Sequence, residues 1–526
     1  MQTFLLGVIS SFLLSATPPN ELYFNNGAEP ESMDPHRSST QDVSQHMISL
    51  FEGLLTKDVT YSKVVPGIAS EYKATKGGKL LTFKLRPNLK WSNGDALTAE
   101  HIRNSFIRAM DPTTACPYPE YFTDYIAGAK EYIAGKTAEE RKGLESKIGI
   151  RIVNPSTIEM TLINGSPLFL ELMTSKSFMP VHPSMMSIDA EGWTNPKKYI
   201  SNGPFKLADW KVNDRITAEK NENYWDAKNV KLNRLVAFPV NDQQVVYNMF
   251  NSGQIDWTGN NTIAPALVPG LRAKKEFSYV TSHGTYFYLY NLKQPPLNQV
   301  EVRKALSLVI NRAEITDKIL KDGKLPTYRI VPPTVKNFTS LYSDLKPMDK
   351  RIDEAKALLA KAGYPDGKGF PKTILKYNTS ESHKSIAQAV KSMWKRALNI
   401  DVELENTEWK VYTKQLDNHQ FQVARQGWVT DIPDPTEFLS IFRTGVPNNY
   451  GEYSNAEFDK IFNQALTESN AKKRMELFAK AEKIVLDDAG AIPLYHYVYY
   501  GLVNPKVENL TTNPAGLYLF KFVAKK

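Results

Sequence analysis

The chain has 526 residues, of which 42% are hydrophobic and 23% are charged, and this balance excludes a disordered or integral membrane protein. The length exceeds what one hydrophobic core usually serves, so we expect two or three lobes. The formal net charge is +9, but Lys and Arg are interspersed with Asp and Glu along the whole chain. Because no basic block is present, the charge does not indicate a nucleic-acid partner.

The first 19 residues contain a short apolar run that ends in small residues and prolines, which is typical of a cleavable secretory signal. The run is too short to span a bilayer comfortably. The only cysteine is Cys116, so neither a lipid anchor at the end of the signal nor an intramolecular disulfide is expected. We therefore expect an exported, freely soluble protein of an enclosed compartment such as a periplasm.

Hydrophobic periodicity predicts the elements of the first half of the chain. A helix is expected over 44–55, a strand over 80–91, and a second helix that begins after Thr98 as N-cap. Residues 200–236 contain three strand-like runs, the first two separated by a turn at Asn213 and Asp214, which predicts a sheet.

The second half predicts an α/β lobe. Helices are expected over 300–312, 353–363 and 382–399, with Gly363 closing the second of them, and a strand is expected over 400–406. The third helix is expected to bury Ile386, Val390, Met393, Trp394 and Leu398. A further helix over 473–488 precedes a strand over 492–503 that is apolar enough to cross between lobes. Alternating strands and helices are typical of an α/β fold.

No catalytic signature is present. The sequence contains no GxSxG, HExxH, CxxC or phosphate-loop motif, and its 8 His are scattered. We therefore expect a protein that is not an enzyme and that has no cofactor or metal, although a secreted hydrolase or peptidase stays the alternative from another class.

The segment 423–439 carries the clearest chemistry. Arg425, Trp428 and Asp431 lie where an alternating strand enters a proline-broken loop. A guanidinium, an indole and a carboxylate together can hold a zwitterion, because each charged end finds an opposite charge. Taken singly, Arg425 could form a surface ion pair, Trp428 could be a core residue and Asp431 a turn residue. Asp434 is expected to cap a helix, with Glu437 completing a capping box.

Several stretches resemble the periplasmic oligopeptide-binding proteins, the solute-binding components of peptide ABC importers. They are SMDPH at 32–36, LFEGLL at 50–55, LRPNLKWSNGDALTAEHI at 85–102, DPTTACPY at 111–118, SNGPFKLADW at 201–210, YNTSESHKSIAQAV at 377–390 and VARQGWVTDIPDPTEF at 423–438. KWSNGD alone marks only the broad superfamily, whereas the block around Trp428 and Asp431 is specific to the oligopeptide branch.

The resemblance implies an α/β clamshell of the periplasmic-binding-protein type (class II), with three lobes, mixed sheets and a hinge of two crossings near residues 283 and 497. The implied division follows the signal peptide 1–19: lobe I takes 20–51, 178–283 and 498–526, the inserted lobe II takes 52–177, and lobe III takes 284–497.

The resemblance also implies the site. Asp431 would bind the terminal ammonium of a peptide, and Arg425 and His383 would receive the carboxylates of peptides of different length. Backbone pairing would come from Gly427, Trp428 and Val429, with Ser39, Thr40 and Gln41 opposite. The side-chain pockets would be lined by Trp409, Trp428, Tyr118, Tyr497 and Asn260, where ordered water can fill unused space.

The implied ligands are short peptides of about two to five residues, and the implied partner of a monomeric receptor is the membrane permease of a peptide ABC transporter. A murein tripeptide receptor of the same branch is the nearer alternative. Some members of the family carry a disulfide near the site, but the matching positions here are Gly284 and Val429, so packing alone must brace it.

Overall fold

A computed structural model describes residues 18–30, 32–38, 40–187, 192–342 and 346–526. The strands are β1 (Glu21–Asn25), β2 (Leu55–Lys57), β3 (Val64–Pro66), β4 (Ala69–Thr75), β5 (Leu80–Leu85), β6 (Ile150–Asn154), β7 (Thr157–Thr161), β8 (Phe205–Lys211), β9 (Arg215–Lys220), β10 (Arg234–Phe238), β11 (Phe277–Tyr290), β12 (Leu325–Pro326), β13 (Thr373–Asn378), β14 (Val402–Thr407), β15 (Val423–Val429), β16 (Ala491–Leu502), β17 (Val507–Glu508) and β18 (Ala524–Lys525).

The helices are α1 (Gln41–Leu50), α2 (Ala99–Met110), α3 (Glu120–Thr123), α4 (Ala129–Ala134), α5 (Ala138–Leu144), α6 (Pro167–Leu172), α7 (Gln243–Asn251), α8 (Val268–Leu271), α9 (Val300–Leu308), α10 (Met348–Lys361), α11 (Glu381–Leu398), α12 (Trp409–Asp417), α13 (Pro435–Leu439), α14 (Ala456–Thr467) and α15 (Ala471–Asp487). A π-helical segment covers Glu314–Leu320. In the described ranges, no helix combines the length and the apolar character needed to cross a bilayer.

Three larger sheets organise these elements. One has the order β1-β10-β9-β8, the second β4-β5-β7-β6, and the third, six-stranded sheet has the order β12-β16-β11-β15-β13-β14. In the third sheet β13 is parallel to β14 and β15, whereas β11 is antiparallel to β15 and β16. The mixed α/β class expected from the sequence is therefore confirmed.

The hydrophobic cores follow segments of the chain. One core is built from residues 54–178 together with Ile432, and another from residues within 22–51, 179–257 and 518–523. Two further cores draw on residues 286–495 and lie around the six-stranded sheet. The contribution of Ile432 to the first core shows that the loop after β15 packs against residues 54–178.

Helix α11 shows why the periodic segments were predictable. Ile386, Val390, Met393, Trp394 and Leu398 are all buried, because they recur at helical spacing on the face turned to the sheet. The helix ends at Asn399, which adopts a left-handed conformation with φ 55°.

Other predicted ends were wrong by a few residues. Helix α1 ends at Leu50, earlier than expected, because Phe51 is extended. The strand expected over 80–91 stops at Leu85, two residues before a proline that cannot donate to a ladder. Thr98 occupies the N-cap of α2, but its side chain makes no capping hydrogen bond. Gly363 has φ +94° just after α10, as predicted.

Strands β11 and β16 are paired in two stretches. Residues 277–281 of β11 pair with 498–502 of β16, and residues 285–289 pair with 491–496. The ladder shifts register between Thr281 and Thr285, around His283. The backbone N–H of His283 donates to Pro514 O at 2.9 Å, and its carbonyl accepts from the N–H of Thr430 at 3.0 Å. The break lies near residue 283, one of the two positions at which the sequence analysis expects a crossing, and the crossings themselves stay a prediction.

Candidate functional site

Strand β15 presents an open backbone edge. It pairs with β11 along its whole length, from Val423 opposite Tyr290 to Val429 opposite Gly284. On its other side, β13 pairs only with Val423 and Ala424. Within the described ranges no strand pairs with residues 426–429 on that side. An unpaired strand edge can accept a further extended chain.

Arg425 lies at the start of this edge, among tyrosines. Its Nη2 donates to the hydroxyl of Tyr497 at 2.6 Å, and its guanidinium carbon lies 4.9 Å from the ring centroid of Tyr286. The imidazole of His383 lies on the same tyrosine, with ring centroids 5.5 Å apart. Tyr286 therefore brings together the two side chains that the sequence analysis assigned to a carboxylate.

The positive charge of Arg425 is not paired with an acidic side chain of the described residues. None of the ion pairs among described residues involves Arg425, and its buried Nε has no hydrogen-bond partner. Burial, together with the positive charges of Arg425 and Lys324, holds the pKa of His383 well below its ordinary 6.5. A neutral imidazole beside an unpaired guanidinium can accommodate an incoming carboxylate.

Asp431 lies beyond the other end of β15 and is half-buried. Its carboxylate has no hydrogen bond or ion pair to any described residue. Burial raises the pKa of Asp431 above 3.8, and the positive charges of Lys176 and then Lys57 oppose that rise. A buried carboxylate without a hydrogen bond is costly, so an ammonium bound here would be strongly favoured.

Tyr118 belongs to the surroundings of Asp431, because burial and then the charge of Asp431 raise its pKa well above 10. Its ring stacks on Tyr121 with centroids 5.0 Å apart and planes at 12°. The hydroxyl of Tyr121 donates to Glu437 Oε2 at 2.6 Å. Glu437 therefore does not complete the predicted capping box, because its carboxyl faces a distant segment; Asp434 alone caps α13.

Two glycines on facing strands allow close packing at the site. A Cβ added at Gly427 would collide with the hydroxyl of Tyr497 and lie 3.1 Å from Arg425 Nη2. A Cβ added at Gly284 would lie 2.8 Å from Cγ2 of Val429, its cross-strand neighbour. The positions that carry a disulfide in some family members thus lie directly opposite each other here and are braced by packing.

The two candidate tryptophans differ in environment. Trp428 packs against the core of residues 286–495, and its buried indole N–H has no hydrogen-bond partner. Trp409 is 37% exposed on α12 and stacks on Tyr412 with centroids 6.2 Å apart. The hydroxyl of Tyr412 donates to the carbonyl oxygen of Arg425, which joins α12 to the strand edge.

The remaining candidates from the sequence analysis are Asn260 and the segment 39–41. Asn260 Nδ2 donates to Gly516 O at 2.8 Å and its Oδ1 accepts from the Tyr518 hydroxyl at 2.9 Å, so both ends of its amide have a partner within the protein. Thr40 is the N-cap residue of α1 and its hydroxyl is buried without a partner. Gln41 begins α1, and Ser39 lies outside the described residues.

Sequence reasoning missed Tyr286, Lys57 and Lys176. The alternation of Tyr286, Tyr288 and Tyr290 along β11 was a usable signal, because side chains two apart share one face of a strand. The two lysines gave no such signal. They approach Asp431 only through the tertiary fold.

Comparison with known proteins shows the family. Residues 63–450 match the model of the bacterial extracellular solute-binding proteins, family 5. The chain is 36% identical over 93% of its length to the periplasmic oligopeptide-binding protein OppA of Salmonella typhimurium, of which 89% is covered. It is also similar to the crystal structure of Haemophilus influenzae OppA in complex with RPPGFSPFR, with a TM-score of 0.89 at 32% identity, over 97% of this chain and 100% of the other.

A third relative has two solved structures, and they differ in their similarity to this chain. The murein tripeptide-binding protein MppA of Escherichia coli gives a TM-score of 0.90 at 30% identity over 97% of this chain and 99% of the other. Its unliganded open form gives only 0.70, over 97% and 98%. The arrangement described here therefore differs from that open form. By sequence and by fold, the chain belongs to the bacterial extracellular solute-binding proteins of family 5.

Proposed function

We propose that this protein captures short peptides, of about two to five residues, and delivers them to the membrane permease of a peptide ABC importer. The observation that carries the proposal is the open edge of β15, which lies between an unpaired guanidinium and an unpaired carboxylate. A peptide with free termini has the matching pattern, since a backbone that can form a strand separates an ammonium from a carboxylate.

The spacing supports a ligand of this length. Arg425 and Asp431 are six positions apart, which corresponds to about 20 Å along an extended chain. A peptide of a few extended residues is comparable in length to this interval. With its ammonium at Asp431 and its carboxylate at Arg425, the peptide runs antiparallel to β15 and pairs with the backbone of Gly427, Trp428 and Val429.

The other candidates complete this arrangement. His383 receives the carboxylate of peptides whose length does not bring it to Arg425. The resemblance assigns the facing wall to Ser39, Thr40 and Gln41, of which Ser39 lies outside the described residues. Side chains of the guest lie against Tyr118, Trp409, Trp428, Tyr497 and Asn260. Because backbone pairing is independent of side chains, such a site tolerates many sequences.

We infer three lobes with the boundaries 20–51, 178–283 and 498–526 for lobe I, 52–177 for lobe II, and 284–497 for lobe III. The division of the hydrophobic cores and the shift in the β11 and β16 ladder support it. Contacts across the proposed cleft include the ion pair between Arg443 Nη1 and Asp124 Oδ2 at 2.6 Å. Closure about the two crossings would bury the ligand.

We further infer that the chain acts as a monomeric, non-catalytic receptor in the periplasm. The support is its membership of a family named for extracellular solute binding and the periplasmic location in the names of its relatives. A peptide incubated with the protein is expected to return at unchanged mass; cleavage products would indicate a hydrolase instead.

A murein tripeptide receptor is the second candidate, supported by a TM-score of 0.90 to MppA beside 0.89 to the Haemophilus influenzae OppA structure. Competition between a cell-wall tripeptide and tri-alanine for the same protein distinguishes the two. Displacement of tri-alanine by the murein peptide at much lower concentration would favour the murein receptor.

The direct test is calorimetry with tri-alanine in three forms: free, N-acetylated and C-amidated. We expect the free peptide to bind, the N-acetylated peptide to lose nearly all affinity, and the amidated one to be weakened. Binding that ignored both modifications would contradict the proposed function, because neither charged end would then be recognised.

A further inference from the structure

Three side-chain contacts join two segments of the chain that are more than 300 positions apart. Arg443 Nη1 donates to Asp124 Oδ2 at 2.6 Å, and Arg443 Nη2 donates to Oδ1 of the same carboxylate at 3.5 Å. Asn448 Nδ2 donates to the carbonyl oxygen of Pro117 at 3.3 Å, and the third contact is the hydrogen bond from Tyr121. Of these contacts, the one between Arg443 and Asp124 joins two opposite charges.

The two ends of this ion pair belong to different hydrophobic cores. Asp124 stands two positions after Phe122, which is fully buried in the core of residues 54–178. Arg443 directly follows Phe442, which is buried in a core beside the six-stranded sheet. Because each charged group is attached next to its own core, the pair forms only when the two cores lie against each other. The pair therefore depends on the closure that the proposed function requires.

The environment of the pair suits a contact that forms and separates. The side chains of Arg443 and Asp124 are each 18% exposed, so most of the pair is shielded from water while part of each group stays hydrated. Shielding strengthens the attraction between the two charges relative to an open surface. The guanidinium also lies 5.1 Å from the ring centroid of Phe462, an aromatic contact that stays with it when Asp124 leaves.

We propose that the ion pair of Arg443 and Asp124 is a latch, which holds the two cores together over a bound peptide and prolongs its residence without contacting it. This inference rests on the proposed function and adds a means of regulating the same site. Because the latch joins only groups of the protein, its contribution is the same for every peptide that allows closure. The contacts at Asp431, Arg425 and β15 distinguish between peptides, and the latch adds a constant to all of them.

The latch acts mainly on dissociation. A peptide leaves after the two cores separate, so a contact that must break first slows its release. Association begins from the separated arrangement, in which the pair is not formed, and changes little. An ion pair of partial exposure contributes only modestly to stability, so the latch prolongs the binding of a guest without holding the empty protein shut by itself.

The test is calorimetry and stopped-flow kinetics on the full chain with tri-alanine, tetra-alanine and C-amidated tri-alanine. Asp124→Asn and Arg443→Gln should each weaken all three peptides by the same factor, roughly three- to tenfold, through faster dissociation. The variant with both substitutions should bind no more weakly than either single variant, because one substitution already breaks the pair.

Arg141→Gln is the matched control. Arg141 Nε lies 3.3 Å from Asp111 Oδ2, with side chains 10% and 26% exposed, and both residues belong to the segment 54–178. Loss of a pair within one segment should lower the melting temperature and leave peptide affinity unchanged. A pair between Arg443 and Asp124 that was formed equally with and without peptide would behave in the same way.

The outcomes separate the latch from the proposed function. Unchanged affinity and dissociation rate in both Asp124→Asn and Arg443→Gln would make the pair purely structural and would overturn the latch, while the proposed function stands. A loss of affinity that differed among the three peptides would place one of these residues in contact with the ligand and would also overturn it. If tri-alanine does not bind the wild-type chain, the proposed function itself fails.

Discussion

The surroundings of Arg425 and Asp431 are built from different parts of the chain. Arg425 is held by Tyr286 and Tyr497, from the neighbouring strands β11 and β16 of the six-stranded sheet. The charge of Asp431 interacts with Tyr118 and with Lys176 and Lys57, which come from distant segments before residue 180. The end that would receive a carboxylate is thus formed inside one sheet, and the end that would receive an ammonium is assembled between segments.

This difference suggests an order of events. If the proposed lobes close as inferred, the end inside the sheet would be able to bind a ligand beforehand, whereas the assembled end would form only on closure. In the proposed closure, burial raises the pKa of Asp431 in spite of the charges of Lys176 and Lys57, so closure would be less favourable without an ammonium at this acid. The acid would make closure conditional on an amine, and the guanidinium would provide the first contact.

The largest effect is expected from Asp431→Asn. Removing one partner of a buried charge pair costs about 2–5 kcal/mol, so affinity for a free-amine tripeptide should fall by a factor of roughly 30 to several thousand. The melting temperature of the ligand-free protein should hardly change, because the carboxylate makes no hydrogen bond or ion pair with any described residue. Calorimetry and thermal unfolding measure the two quantities.

Asp434→Asn is the matched control, three positions away. Its carboxylate pairs with Arg474 at 2.7 Å, and both side chains are largely buried. Loss of that pair should lower the melting temperature and leave peptide affinity unchanged while the protein is folded. If the Asp431→Asn variant bound peptide with unchanged affinity, Asp431 would not be the residue that binds the terminal ammonium.

Arg425→Gln should have the next largest effect. A hydrogen bond to a charged group contributes about 1.5–3 kcal/mol, so peptides with a free carboxylate should bind roughly 10- to 150-fold more weakly. C-amidated peptides should lose little, since they bring no negative charge to this end. The measurement is the affinity of the free-carboxylate and the C-amidated peptide for wild type and for Arg425→Gln. Equal losses of affinity for both peptides would mean that Arg425 does not bind the ligand carboxylate.

His383 should show a smaller effect, and one that depends on ligand length. The pKa of His383 is well below 6.5 without a ligand, and a bound carboxylate would raise it. Affinity for peptides that end at His383 should therefore rise by a few fold as pH falls from 7 to 5.

At Asp431 the pH dependence of affinity has the opposite sign. The pKa of Asp431 is raised without a ligand, and a bound ammonium lowers it, so affinity falls as pH falls through that raised pKa.

Titrations of di-, tri- and tetrapeptides against wild type and His383→Gln separate the pH dependence caused by His383 from that caused by Asp431. In the variant, only peptides of the length that reaches His383 should lose the rise in affinity between pH 7 and pH 5. If the variant weakened every length equally at every pH, His383 would have a structural role only.

The local parts of this arrangement were predictable from sequence. Arg425, Trp428 and Asp431 lie within seven residues, so their common location needed no tertiary information. The periodicity of α11 and the alternation of β8 and β9 likewise depend on neighbours along the chain.

The rest depends on contacts between distant segments. Glu437 stands three positions after an N-cap, which indicates a capping box, but its carboxyl instead accepts from Tyr121 more than 300 positions earlier in the chain. Lys176 reaches Asp431 in the same way. Local pattern cannot reveal a partner that only the packing of separate cores supplies.

The smallest effect should come from that contact between Tyr121 and Glu437, which lies beside the assembled end. Burial raises the pKa of Glu437 from its ordinary 4.5 to about 8, so the protonated acid is favoured in this structure. The stability linked to it is fully present below about pH 4.5 and is lost as pH rises through about 8. Glu437→Gln, which stays neutral, should flatten the fall in melting temperature between pH 5 and pH 8.

Part of the slope should remain in that variant, because burial also raises the pKa of Glu120 to about 7, with the same sign. Glu120→Gln combined with Glu437→Gln should therefore be flatter still. Tyr121→Phe removes the 2.6 Å hydrogen bond to Glu437, which lowers the pKa of this acid, and leaves the acid buried, so the variant should not flatten the slope and should have a lower melting temperature at every pH. A wild-type melting temperature that did not fall over this range would mean that Glu437 is exposed to solvent in solution, and hence that the segments around Asp431 are not assembled in the ligand-free protein.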